Sequence, residues 1–310
     1  MRVVVALGGN AILQRDDVGT ATEQRATIRE ACESIAALCE HGHSLILTHG
    51  NGPQVGRLLM QDEALPGQFP PLPLDVLVAQ TQGQIGYLMQ QEMSAALRRR
   101  RASRPVVTLV TQVVVDPADP AFMRPAKPVG PRLSEQRAAE YRARGELLAQ
   151  DADGRWRRVV ASPEPVAIIE WDTLSALVTA GAVPIVAGGG GVPVVREGNS
   201  LRGIAAVVDK DLTAALIADI VHAEALLILT DVERVVRGFG TADPQPIERI
   251  TAGDARAGVD SGEFPPGSMG PKMLAAARVA ESGKIAAIGA LWQAADVLAG
   301  RAGTHVVSGR

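Results

Sequence analysis

Six stretches of the chain are apolar on nearly every residue: "RVVVALGG" (2–9), "SLILTHGNG" (44–52), "RPVVTLVTQVVV" (104–115), "VPIVAGGGG" (183–191), "EALLILTD" (224–231) and "KIAAIGAL" (284–291). Strands of this kind turn neither face to water, so something must cover both. The cover is also written in the sequence. Helical periodicity is expected near 21–40, from Pro53 onward, over about 75–100, near 210–222 and near 271–282. Buried strands alternating with amphipathic helices predict an α/β fold with a mainly parallel sheet. With 310 residues, 46% of them hydrophobic, the chain can build one large domain or two modest ones.

One region breaks the rhythm. Residues 116–165 are rich in Pro, Arg and Asp, as in "DPADPAFMRPAKPVGPRLSEQ". A short helix from Ser134 to Arg144 and a hairpin around "DADG" (151–154) are expected there, as an excursion from the sheet.

Several function classes are disfavoured. A net charge of −3 gives no basic field, and 3% aromatics give no base-stacking platform, so nucleic acid is not an expected partner. No apolar run approaches the roughly 20 residues a membrane helix needs. The chain opens directly on a strand pattern, so no signal peptide is expected. Cys32 and Cys39 continue the helical stripe Ile28, Cys32, Ile35, Cys39. Seven residues along a helix is roughly 10 Å, too far for a disulfide. Both read as core, and the cytoplasm is the expected compartment. The five histidines show no metal-ligand spacing. The arginine run 98–101 reads as a solvated helix end.

Four glycine-bearing turns are expected where strands end: "GGN" (8–10), "HGNGP" (49–53), "GGGG" (188–191) and "GSMGPK" (267–272). Parallel sheets bind ligands at the carboxyl ends of their strands, and glycine there lets backbone N–H groups approach an anion. One such turn is explained by tight turning alone. Four together point to an anionic ligand. Lysines reinforce this, because the chain uses only Lys127, Lys210, Lys272 and Lys284 and otherwise relies on arginine. Lys210 and Lys272 each open a helix, where the dipole disfavours a cation, and Lys127 lies between prolines in "PAKPVGP". A solvated surface lysine is the plain alternative for each one alone. Phosphate handling explains all three, with neighbouring carboxylates holding the ammonium groups. Helix capping accounts for Asp209 and Asp211 but not for Lys210 between them. Lys284 begins a strand and reads as structural.

Standard phosphate signatures are missing. There is no G-x-x-x-x-G-K-[ST] and no protein-kinase set. "GNGPQVG" (50–56) displaces the last glycine of G-x-G-x-x-G by one place, which leaves a dinucleotide-binding dehydrogenase open at this point.

Taken in order, "VVVALGGNAI" (3–12), "HGNGPQVG" (49–56), "PLDVLVAQTQGQIGYLMQQ" (73–91), "KPVGP" (127–131), "AGGGGVPV" (187–194), "VVDKDLTAALIA" (207–218), "LTDVE" (229–233) and "PGSMGPK" (266–272) resemble the carbamate kinases of the amino acid kinase family. The resemblance spans essentially the whole chain. It implies a three-layer αβα sandwich with a mainly parallel central sheet and a small protruding subdomain. It also implies reversible phosphoryl transfer between ATP and carbamate, with ATP synthesis from carbamoyl phosphate as the expected use. Residues 1–310 would form one domain, with 1–115 and about 166–200 on the carbamate side, 116–165 as the lid and 201–310 on the nucleotide side.

The same resemblance implies roles for residues. Lys127, Lys210, Asp211 and Lys272 would be catalytic, with Asp211 orienting Lys210 and Lys272. Gly8, Gly9, Asn10, Gly50, Asn51, Gly52, Gly189 and Gly190 would meet the carbamoyl substrate. Asp209, Lys210, Thr230, Asp231, Met269, Gly270 and Lys272 would meet the nucleotide. Mg²⁺ would accompany ATP or ADP, and a homodimer is typical. Related family members carry a lysine in the first strand, where this chain has Ala6, so Lys210 would serve instead. After "TDV" the usual Tyr and "GKP" are replaced by Val235-Val236 and "GFGTADPQP" (238–246). Two alternatives remain beside this one: a relative acting on another small carboxylate or phosphate, and a non-catalytic nucleotide sensor.

Overall fold

A computed structural model describes residues 1–9, 12–13, 19–63, 70–150, 154–241, 243–265 and 267–309. Asn10 and the 151–153 tip of the expected hairpin lie outside the described residues.

The first half of the chain runs β1 (Arg2–Leu7), α1 (Ala21–Glu40), β2 (Ser44–His49), α2 (Gly52–Glu63), α3 (Leu74–Arg99), β3 (Val106–Thr108), β4 (Gln112–Val115), β5 (Lys127–Leu133), α4 (Glu135–Ala143), β6 (Leu148–Gln150) and β7 (Trp156–Val160). It continues with β8 (Pro165–Ile168), α5 (Trp171–Thr179), β9 (Val183–Ile185), β10 (Val192–Glu197), β11 (Ser200–Gly203), α6 (Lys210–Ile220), β12 (Ala225–Thr230), β13 (Val236–Arg237) and β14 (Gln245–Pro246). The chain closes with β15 (Arg249–Thr251), α7 (Ala252–Asp260), α8 (Met269–Glu281), β16 (Ile285–Ala290), α9 (Ala294–Leu298) and β17 (Thr304–Val307).

Among the described residues the central sheet has eight strands in the order β15-β17-β16-β12-β1-β2-β9-β3. Strands from β16 to β3 run parallel, and β17 pairs antiparallel with β16. The period-two rule explains why β1 is apolar throughout. Val3, Val5 and Leu7 join a core with residues of α1, α3 and α9. Val4 and Ala6 join the opposite core with α6 and α8. Two helical layers thus cover the sheet, giving the αβα sandwich. Cys32 and Cys39 are free and buried in the first of these cores.

The helices carry local start signals. Thr20 caps α1 in a reciprocal capping box with Glu23. Between α1 and α3, Arg25 and Arg29 both bind the buried carboxylate of Glu92. Arg99 and Arg100 of the arginine run meet Glu33, so that run faces α1 as well as water.

The expectation of one strand over 104–115 is corrected. The segment divides into β3, at the edge of the central sheet, and β4, in a separate four-stranded sheet ordered β11-β10-β4-β8. The break has a clear cause. Gln82 of α3 is buried and takes both main-chain groups of Thr111: its Oε1 accepts from Thr111 N (2.8 Å) and its Nε2 donates to Thr111 O (3.1 Å). A side-chain amide thus takes the N–H at the turning point and shares the carbonyl, which also accepts from Val192 N of β10 (2.9 Å). Sequence pattern alone does not show this, because both halves are equally apolar.

Strands β5, β7 and β6 form their own antiparallel sheet with α4 beside it, and none of them joins the central sheet. Ser134 caps α4. This unit touches the body through Gly56 of α2 and Gly130 of β5. A Cβ on Gly56 would lie 2.7 Å from Gly130 Cα, so only glycine allows the approach.

Candidate functional site

Three of the four turns expected to hold an anion converge at the carboxyl edge of the central sheet; the fourth, 267–272, follows α7 rather than a strand and opens α8. Gly8, after β1, donates its N–H to Leu229 O of β12 (2.8 Å). Gly50, after β2, donates to Leu7 O (3.1 Å). A Cβ on Gly50 would stand 3.4 Å from Gly9 N and 3.6 Å from Lys210 Cδ, so three loops meet there. Gly9 and Gly52 face open space.

The "GGGG" turn is built for close packing. A Cβ on Gly189 would lie 2.2 Å from Asn51 Nδ2, and one on Gly190 would lie 2.1 Å from Val208 O. Gly189 therefore sits under Asn51, and Gly190 lets the segment entering α6 approach. The side chain of Asn51 is committed to the core, where Nδ2 donates to Thr81 Oγ1 of α3 (2.8 Å). What this loop can offer a ligand is its main chain.

Above these turns lies a cluster of charges. Asp209 is the N-cap of α6, and its Oδ1 accepts from Asp211 N (2.9 Å). Its Oδ2 holds Lys127 Nζ at 2.5 Å. Asp211 is 2% exposed and divides its carboxylate between two lysines: Oδ1 holds Lys210 Nζ at 2.5 Å and Oδ2 holds Lys272 Nζ at 2.9 Å. The sequence places the two aspartates two residues apart at a helix start. The fold brings in one lysine from the β5 unit and another from α8. Three ammonium groups on two carboxylates leave one excess positive charge, a fitting host for a phosphoryl dianion.

Electrostatics follow from burial. Lys210 is pushed down to about 8, first by burial and then by the charge of Lys272, with Asp211 opposing. For Lys272 burial also disfavours the charge, but Asp211 outweighs it and the net shift is upward. Burial raises Asp211, but the charges and hydrogen bonds of both lysines prevail and hold it well below the usual carboxylate range. Asp211 therefore stays an anion, and Lys210 is the lysine easier to neutralise.

Next to this cluster opens a cavity of about 740 Å³ lined by Thr230, Asp231, Val236, Phe264, Met269 and Lys272, among others. Lys272 thus belongs to both the charge cluster and the cavity. Gly270 lies at the start of α8 packed against the carbonyls of Phe264 and Pro265. Asp209 and Lys210 stand in the charge cluster, outside this lining. Val235 is buried, and Val236 forms half of the β13–β14 hairpin that borders the cavity. Among the described residues no three His, Cys, Asp or Glu side chains group to hold a metal ion.

Sequence reasoning overlooked three buried polar residues beneath the site: His49, Thr81 and Gln82. Each was signalled, since a polar residue inside an apolar stripe needs a partner.

Comparison with known proteins agrees with this geometry. Residues 1–288 match the model of the amino acid kinase family. A carbamate kinase of Thermococcus kodakarensis is 44% identical over 313 residues, covering 99% of each chain. A carbamate kinase-like protein of Escherichia coli is 45% identical over 310 residues, covering 98% of each. The structure of carbamate kinase from Giardia lamblia bound to AMP-PNP superposes with a TM-score of 0.90 at 39% identity, covering 99% of this chain and 98% of that one. Sequence, fold and relatives agree: the chain belongs to the amino acid kinase family.

Proposed function

We propose that the chain transfers a phosphoryl group reversibly between ATP and carbamate, yielding ADP and carbamoyl phosphate. The observation that carries this reading is the Lys210–Asp211–Lys272 bridge between the glycine turns and the cavity, in a chain 44% identical to a carbamate kinase. A carbamate oxygen attacks the γ-phosphorus, a P–O bond forms, and the bond to the β-phosphate oxygen breaks as ADP leaves. Carbamate is already an anion, so no general base is needed. The task is to hold two anions together and neutralise charge on the transferring group.

Roles follow. Gly8, Gly9, Asn10, Gly50, Asn51 and Gly52 form the carbamate side, and Gly189 and Gly190 support it from below. Thr230, Asp231, Met269 and Gly270 form the nucleotide side together with Asp209, Lys210 and Lys272. Lys210 and Lys272 hold the transferring phosphoryl oxygens, and Asp211 fixes both lysines. Mg²⁺ would accompany the nucleotide and neutralise phosphate charge, while Asp209 and Asp211 are already paired with lysines. The lobes are 1–115 with 166–200, and 201–310, with 116–165 as the lid. The enzyme works as a cytoplasmic homodimer. No described helix is long and apolar enough to cross a membrane.

The test is direct. Purified protein with Mg²⁺, ADP and carbamoyl phosphate should form ATP, read by luminescence. No ATP under any condition that supports a related carbamate kinase would sink the reading.

Lys127 gives a second expectation. It belongs to the β5 unit yet reaches Asp209 at the cluster. Lys127→Ala should raise the KM for carbamoyl phosphate by roughly 10-fold or more, the scale of one lost charge-assisted hydrogen bond. The dissociation constant of Mg-ADP should change far less. Equal losses for both ligands would place Lys127 outside the carbamoyl side.

A further inference from the structure

His49 ends β2 and is completely buried, directly below the "GNG" turn. Its Nδ1 lies 2.9 Å from the carbonyl oxygen of Gly50, the next residue. A carbonyl only accepts, so Nδ1 carries the proton and donates. Nε2 is then an acceptor, and it has no partner among the described residues. The ring is packed tightly, because a Cβ on Gly188 would lie 2.4 Å from both Cε1 and Nε2. Thus the "GGGG" turn and the ring fit only together. Burial of an unpaired ring nitrogen is costly, so a packing role alone would favour an apolar residue.

The bond to Gly50 has a consequence for the anion loop. The Gly50–Asn51 peptide is trans, like every peptide of the described chain. In a trans peptide the carbonyl and the following N–H point in opposite directions. With the Gly50 carbonyl drawn toward His49, the Asn51 N–H must turn away from the ring. No acceptor for that N–H occurs among the described residues, although Gly50 N–H is bound to Leu7 O. The Asn51 side chain is buried and turned into the core, where its amide nitrogen donates to Thr81.

We infer that His49 is a positioning residue that locks the Gly50–Asn51 peptide so that the Asn51 N–H is presented to the substrate anion. This rests on the reading that the turn after β2 meets the carbamoyl substrate. The ring keeps its single donor at working pH: burial first, and the charge of Lys210, push His49 down to about 4, so it stays neutral above that pH.

Three variants test the inference through both KM values, measured in the ATP-forming direction. His49→Leu removes the donor and should raise the KM for carbamoyl phosphate about 10-fold or more, with the KM for ADP within about 2-fold of wild type. His49→Gln keeps a polar amide but places it near the former Nε2, and should behave like His49→Leu. His49→Asn places its amide nitrogen near the former Nδ1 and should recover most of the loss. Circular dichroism melts check that each variant folds. Should His49→Leu not fold, the contrast of Asn with Gln carries the test. Equal effects of Asn and Gln, or parallel changes in both KM values, would overturn the inference. An inactive wild type would instead indict the proposed reaction, so the two failures remain distinguishable.

Discussion

Asp211→Asn is expected to lower turnover by roughly 10²-fold or more and to lower stability at the same time. The carboxylate is 2% exposed and is the shared acceptor of Lys210 and Lys272. An amide has one acceptor oxygen, so one lysine keeps a partner and the other faces an N–H donor. Breaking a buried ion pair on one side costs about 3–5 kcal/mol, because the remaining charge is left uncompensated. The melting temperature should therefore fall, and added Mg-ATP should recover part of it, since phosphates supply the missing negative charge. Lys210, already pushed downward, would lose its main opposing influence and become neutral at lower pH. The double variant Lys210→Ala/Asp211→Asn should be little worse than the worse single variant if the groups act as one unit. Additive losses in that cycle would show that the lysines work independently of Asp211.

Lys210→Ala should match this loss in turnover, again roughly 10²-fold or more, while Mg-ADP binding falls less. Lys272→Ala belongs to the same class. Lys210→Arg should not rescue, because a planar fork cannot replace a point charge inside a cluster this enclosed. The pH profile supplies an independent reading. With the free-enzyme value of Lys210 at about 8, kcat/KM should fall as pH rises through 8, where its charge is lost. Bound phosphates favour the charged form, so the corresponding limb of kcat should lie higher. The contribution of Lys210 to stability runs the opposite way. Its folded value is below its unfolded one, so the unfolded chain binds more protons between about 8 and 10.5, and stability from this group rises across that window. A Lys210→Ala enzyme with near wild-type turnover at saturating substrates would return "DKD" to a helix cap with a solvated lysine.

How far the sequence alone could lead is seen best in particular elements. The helices over 21–40 and 75–100 were readable because amphipathic periodicity and caps are local, and α1 and α3 occupy Ala21–Glu40 and Leu74–Arg99. The run 104–115 was misread as one strand because its break depends on Gln82, which lies on α3. The hairpin of β10 and β11 and the small strands β13 to β15 and β17 gave no pattern strong enough to stand out. They are two to six residues long, and pairing rather than composition makes them strands.

For the site, the sequence determined the chemistry and the tertiary structure decided the partnerships. Scarce lysines, glycines at strand ends and two aspartates at one helix start already pointed to an anion-handling protein, because residue type and position near a helix terminus fix local charge and exposure. That Asp209 would hold Lys127 across 82 residues, and Asp211 would hold Lys272 across 61, was not legible. Nor was it legible that Asn51 would turn its amide into the core, or that His49 would bond the Gly50 carbonyl. Such pairings are set by which strands neighbour one another and by how closely glycines let their loops approach. Those distances exist only once the two cores have packed against the sheet and burial has made every unpaired charge costly.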